Sequence, residues 1–151
     1  MFLDFDGVLN NEPFLRHQRN HPLSTGQKLF DPENIGSLNR LCEELPVSSI
    51  VVSSSWRTNR DLHELRLLLS KEGFEAPGLL DAVTGHTADD VEGRAAEIAA
   101  HVKEMDLQDW FALDDFDLKP YLDARVPRVV GTTGLTSKLV AEILADLATS
   151  Q

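Results

Sequence analysis

The stretch FLDFDGVLN, residues 2–10, decides how this chain is read. Phe2 and Leu3 make a short apolar run, Asp4 ends it, Asp6 follows after one aromatic residue, and Gly7 lets the backbone turn sharply. Because side chains alternate along a strand, Asp4 and Asp6 face one side if extended geometry continues for one more step. Two carboxylates at that distance repel each other unless a cation or a shared proton relieves them. The stretch therefore reads as a strand delivering acids to a functional turn, with a plain Asp/Gly turn as the alternative.

Four further segments carry the strand signature of short, apolar, β-branched or aromatic runs bounded by Ser, Asp, Gly or Pro: SSIVVSS (48–54), DAVTG (81–85), WFALDD (110–115) and RVPRVVGT (125–132). Helical spacing of apolar residues marks PENIGSLNRLCEEL (32–45), NRDLHELRLLLSKEG (59–73), DDVEGRAAEIAAHVKEM (89–105) and TSKLVAEILADLAT (136–149). Asp31-Pro32 reads as a cap followed by a first-turn proline, and Gly73 as a helix stop. Strands alternating with helices predict right-handed crossovers and a three-layer α/β sandwich around a parallel, Rossmann-like sheet. In such folds function gathers beyond the carboxyl ends of the strands. Here those ends read DFDG, SSSWR and DDFD. Residues 10–30 form a long, polar, irregular segment, the kind of length that signals a functional flap or a disordered excursion.

The chain has 151 residues, 42% hydrophobic and 26% charged, which suits one globular domain. Fourteen basic against 25 acidic residues give a formal charge of -11, which argues against loose, charge-driven binding to a polyphosphate backbone. The single Cys42 excludes an internal disulfide and a cysteine zinc cluster, and its place among Ile35, Leu38, Leu41 and Leu45 predicts a packed thiol. No apolar stretch reaches membrane-spanning length and no signal-type segment opens the chain, so no membrane partner and cytoplasmic residence are the default expectations.

Adding Asp114, Asp115 and Asp117 to Asp4 and Asp6 at a neighbouring strand end sharpens the charge conflict, which a divalent cation resolves most simply. The donors are hard oxygens with no adjacent His or Cys, so Mg²⁺ suits them better than zinc. Mg²⁺ is often completed by substrate phosphate, which points to phosphoryl transfer. An aspartate nucleophile splits the displacement through an aspartyl-phosphate, and a second acid two residues on protonates the leaving oxygen and then activates water. The transition state also needs a hydroxyl or amide and a fixed cation, for which the serines of VVSSSWR and Arg94 are candidates. Taken singly, DDFD reads as a solvated acidic loop and Arg94 as a surface cation on an amphipathic helix. SSSWR alone reads as a helix cap with Trp56 on the sheet and Arg57 solvated.

In their order, FLDFDGVLN, VVSSSWR, GRAAEI and FALDDFD resemble the four motifs of the haloacid dehalogenase-like (HAD) superfamily, most closely the small HAD domain of Swiss-army-knife RNA repair proteins. The resemblance implies one HAD-like domain over 1–151 with a short cap-like insertion at about 10–30. It implies Asp4 as nucleophile and metal ligand, and Asp6 as general acid/base whose main-chain carbonyl also meets the metal. It further implies Asp114 as a metal carboxylate, Asp115 as a second acid assisting the metal, Ser54 as the phosphate-binding hydroxyl with Ser53 as the near alternative, and Arg94 as the fixed cation. An acid at Asp6 favours phosphatase over dehalogenase chemistry, because a halide needs no proton on leaving. The expected activity is a Mg²⁺-dependent phosphomonoesterase acting through an aspartyl-phosphate, on a phosphorylated substrate that the sequence leaves open, a small molecule or a nucleic-acid end. The rivals are an end-processing phosphatase for a nucleic-acid 3′ or 5′ end, which the short insertion and open site would suit, and a catalytically silent phosphate-binding or partner module. His17 and His21, in the only basic cluster of the 10–30 segment, are candidates for substrate contact there.

Overall fold

The computed structural model describes residues 1–20, 27–122, 129, 131 and 133–149. Four of the apolar runs form parallel strands: β1 (Phe2–Leu3), β2 (Ile50–Val52), β3 (Leu80–Val83) and β4 (Ala112–Leu113), in the order β3-β2-β1-β4. The expected fifth strand, 125–132, lies largely outside the described residues; within it, the Val129 amide donates to Asp114 O at 3.0 Å. The helices are α1 (Glu12–Asn20), α2 (Pro32–Glu44), α3 (Leu62–Lys71), α4 (Val91–Glu104) and α5 (Ser137–Thr149).

Alternation along each strand divides the core into two layers. Leu3, Val52 and Leu113 point to the face covered by α2, α3 and α5, meeting Leu38, Leu41, Leu65, Leu69, Val140 and Ile143. Phe2, Val51 and Ala112 point to the opposite face, where α4 brings Ala95 and Ile98. The result is the three-layer α/β sandwich that the sequence predicts. Strands buried on both faces must be apolar at every position, which is why β1, β2 and β4 do not alternate with polar residues, whereas the edge strand β3 exposes Asp81. Phe2 is wholly buried and sits edge-on to both His101 and Trp110, with ring centroids 5.6 Å away in each case.

Local chemistry sets the helix ends. Asp31 accepts from the Glu33 amide and Pro32 opens α2, as its sequence indicates. Asp61 and Glu64 form a reciprocal capping box on α3, and Gly73 follows its end with φ +101°. Cys42 packs against the core layer of α2, and burial pushes its thiol up to about 11, the behaviour of an unreactive packed cysteine.

The 10–30 segment departs from expectation by carrying a helix. Asn11 caps α1 by accepting from the Phe14 amide at 2.9 Å, and Glu12 answers Arg16 and Arg19 from the first turn. No α1 residue is buried, so the helix lacks the apolar stripe that periodicity detects. Its start was legible only as a cap with Pro13 in the first turn. The end of the segment is fastened where Glu72 accepts from the amides of Leu29 and Phe30.

Helices α2 and α3 serve the crossovers that step from β1 to β2 to β3, while α4 returns the chain over the other face to β4. The direction of winding therefore reverses between β1 and β4, the topological switch point at which an α/β sheet opens a crevice. Asp4 follows β1 and Asp114 follows β4 at that point.

Candidate active site

Beyond the strands the ladder continues for one residue. The amides of Asp4, Ser53 and Thr84 donate to Leu113 O, Leu3 O and Val52 O, each at 3.0 Å. The register that pairs Leu3 with Val52 and Leu113 thus carries on to set Asp4 beside Ser53 and Asp114. By alternation these side chains share the α4 face of the sheet, and all of them are buried.

The carboxylates of Asp4, Asp114 and Asp115 each place an oxygen within 4.8 Å of the others. Burial raises the pKa of Asp4 well above its usual value, and the charge of Asp114 adds to the rise, with Arg94 opposing. Burial also raises that of Asp114, against the pull of Arg94. Arg94 reaches the site from the first turns of α4, whose Asp90 cap accepts from the Gly93 amide at 2.7 Å. Its Nη1 lies 2.6 Å from Asp114 Oδ2 and 3.4 Å from Asp4 Oδ1. Burial alone would lower the guanidinium pKa, but the two carboxylates outweigh it and hold it above the ordinary value. Arg94 is buried, not the surface cation that its helix alone suggests. Asp114 Oδ1 accepts from the Phe116 amide at 3.0 Å, which fixes that carboxylate from its other side.

Asp6 stands apart from the trio. Extended geometry stops at Phe5, whose carbonyl accepts from the amides of Val8 and Leu9, so Asp6 sits on a turn and not on a continued strand. Its carboxylate accepts from Asn10 Nδ2 and from Trp56 Nε1, each at 2.9 Å. Asn10 Oδ1 in turn accepts from the Gly7 amide at 2.9 Å. Gly7 has φ +77°, and a Cβ there would come within 2.3 Å of Asp115 Oδ2. Only glycine both adopts this turn and leaves room for the third carboxylate. Asp117, expected to join the acids, is exposed and outside the trio, because the turn after β4 carries it past the rim.

The three serines divide. Ser54 Oγ accepts from the Trp56 amide at 3.3 Å and caps the 3-10 turn Ser55–Thr58. Ser53 Oγ is buried with no partner among the described residues. Ser55 lines an open cavity of about 730 Å³ together with Asp4, Asp6, Trp56, Arg60, Arg94, Asp115 and Phe116. Among the described residues lining that cavity none comes from α1, so the structure brings His17 no nearer to a substrate role, and His21 lies outside the described residues. His86 does line the cavity, facing Asp89 and Glu97.

Arg57 reverses its expectation of being solvated. It is buried, donates to the carbonyls of Ser53, Ser54, Thr84 and Gly85, and forms a 2.6 Å ion pair with Glu97. It ties the ends of β2 and β3 to α4, one turn beyond Arg94. Sequence reasoning also missed Asn10, whose spacing of four from Asp6 within DGVLN is the one signal that marks it.

The donor set fits a hard divalent cation: three carboxylates offering hard oxygens converge, and two of them are deeply buried, with pKa values raised chiefly by that burial. No helix of the described residues is long and apolar enough to cross a membrane. A search of curated proteins found no match, and a search of solved structures found none either. A family model described as the HAD domain in Swiss Army Knife RNA repair proteins matches residues 1–140, and the chain belongs to that family of haloacid dehalogenase-like domains.

Proposed function

We propose that the chain is a Mg²⁺-dependent phosphomonoesterase working through an aspartyl-phosphate on Asp4. The observation that carries this reading is the trio of Asp4, Asp114 and Asp115 with Arg94 seated against two of its members. HAD domains are generally hydrolases that use a divalent metal, and the family match supports the class. Asp4, Asp114 and Asp115 would hold Mg²⁺, joined by the main-chain carbonyl of Asp6 as the family resemblance implies. The ion would neutralise the crowded carboxylates and the charge of the phosphoryl group.

In the first step an Asp4 oxygen attacks phosphorus, the bond from phosphorus to the leaving oxygen breaks, and the Asp6 carboxyl gives that oxygen its proton. In the second step the Asp6 carboxylate takes a proton from water as the water oxygen attacks phosphorus. The bond to Asp4 breaks, and inorganic phosphate leaves. Arg94 holds Asp4 in line and keeps its positive charge throughout. For the phosphate-gripping hydroxyl, the cap made by Ser54 and the unpartnered Ser53 Oγ beside Asp4 favour Ser53.

A phosphoester panel with Mg²⁺ present and then chelated tests the reading. Turnover is expected only with Mg²⁺, and a panel untouched under both conditions would overturn it. Metal binding has its own signature in pH. The folded-state pKa values of Asp4 and Asp114 are raised, so in the metal-free protein their ionisation costs stability. That cost is absent below the ordinary carboxylate value of about 4, grows as pH rises from there toward the raised values, and is complete above them. The gain in melting temperature on adding Mg²⁺ is therefore expected to be larger at about pH 8 than at about pH 5.5. Equal gains at both would count against the trio as the cation site.

The family description favours a second, narrower reading, a phosphatase acting on RNA ends. Trp56 and Phe116 at the cavity offer apolar surface for a base, while the charge of -11 opposes long polyanions. Faster turnover of a 3′- or 5′-phosphorylated oligonucleotide than of nucleotides and sugar phosphates would establish it.

A further inference from the structure

We propose that Trp56 is the positioning residue of the general acid/base, its indole N–H setting the plane in which Asp6 passes its proton. The inference rests on the phosphomonoesterase reading and deepens it. Asp6 is exposed, and a carboxylate on a surface turn held by one bond swings about its terminal torsion. Here each oxygen has its own donor: Asn10 Nδ2 on Oδ1 and Trp56 Nε1 on Oδ2, both at 2.9 Å. Two donors on two oxygens fix both the position and the tilt of the group.

They differ in kind. Asn10 lies four residues away in the same turn and moves with Asp6, whereas Trp56 lies 50 residues away and refers Asp6 to the body of the protein. The indole is itself braced. Phe5 and Phe30 pack against it at centroid distances of 5.8 and 5.2 Å, and the Arg60 guanidinium lies 4.8 Å from its ring centroid. Asp4 and Asp6 stand on different sides of the Phe5 turn, so this brace keeps their relation rigid. An in-line displacement needs that relation, because a misplacement of about 1 Å costs on the order of 10²-fold.

Trp56→Phe keeps an aromatic ring and removes the N–H. An alkyl phosphate leaves as a strong base and needs Asp6's proton, whereas 4-nitrophenyl phosphate leaves without it. In Trp56→Phe, kcat/KM for the alkyl ester is expected to fall about 10–100-fold, while that for the nitrophenyl ester changes less than about threefold. Asp6→Asn should show the same discrimination more strongly. Replacing Trp56 by 3-benzothienylalanine, which has the indole's shape without its N–H, repeats the measurement if the phenylalanine variant fails to fold. An equal loss on both esters, or none on either, in a Trp56 variant alongside a discriminating Asp6→Asn would overturn this inference alone. A parent that turned over neither ester, or an Asp6→Asn without discrimination, would overturn the mechanism and the inference together.

Discussion

Asp4→Asn should remove turnover almost completely while leaving the metal-free protein as stable as the parent or more so. The amide keeps the shape of the carboxylate but cannot form the aspartyl-phosphate, and loss of an essential nucleophile typically costs roughly 10⁴-fold or more in rate. The stability half follows from the surroundings. Asp4 is 5% exposed, and that burial, with the charges of Asp114 and Asp115 adding to it, raises its pKa well above normal despite Arg94 at 3.4 Å. A raised acid pKa means that the fold prefers the neutral form, and asparagine is neutral at every pH. Turnover of an aryl phosphate at the parent's rate would remove Asp4 from the mechanism. A melting temperature several degrees below the parent's in chelator would show that the Arg94 contact outweighs the repulsion.

Arg57→Met should be the costliest single change to the fold outside the apolar core, at about 3–5 kcal/mol. The side chains of Arg57 and Glu97 are 4% and 1% exposed, so removal of the cation leaves Glu97 buried without its guanidinium partner. The carbonyls of Ser53, Thr84 and Gly85 lose their guanidinium donor as well, while Ser54 O keeps the main-chain amide of residue 57. For a domain of this size the loss corresponds to a fall of roughly 6–20 °C in melting temperature. The double variant with Glu97→Met should recover part of the loss, because no lone charge then remains. It should not recover all of it, since the carbonyls of Ser53, Thr84 and Gly85 still lack the guanidinium and the Thr87 amide loses its acceptor at position 97. A cost below about 1 kcal/mol, the value of a surface pair, would contradict the buried network.

Much of the site was legible because strand ends are local events. An apolar run that stops at an acid, repeated after β1 and β4 with serines after β2, places Asp4, Asp114 and the serine run at one rim once the strands are parallel. Which serine stands beside Asp4 depends on register, and the sequence reading puts Ser54 ahead of Ser53. Arg94 was legible only through the order of the motifs. Its helix pattern alone puts it outside, and burial came from α4 turning Arg94 and Glu97 toward the sheet.

The amino-acid order alone determined the alternation of strands and helices, the capped starts of α2 and α3, the turn at Gly7 and the acids that close β1 and β4. Each depends on residues within a few positions of one another, whose backbone preferences and hydrogen bonds act before any long-range contact forms. Tertiary structure decided that Arg57 is buried, that Asp6 answers to Trp56 and that Asp117 stands aside. Those outcomes join positions up to 50 residues apart, and which of several equally polar side chains meets a partner depends on strand register and helix rotation, set by the packing of both apolar layers at once.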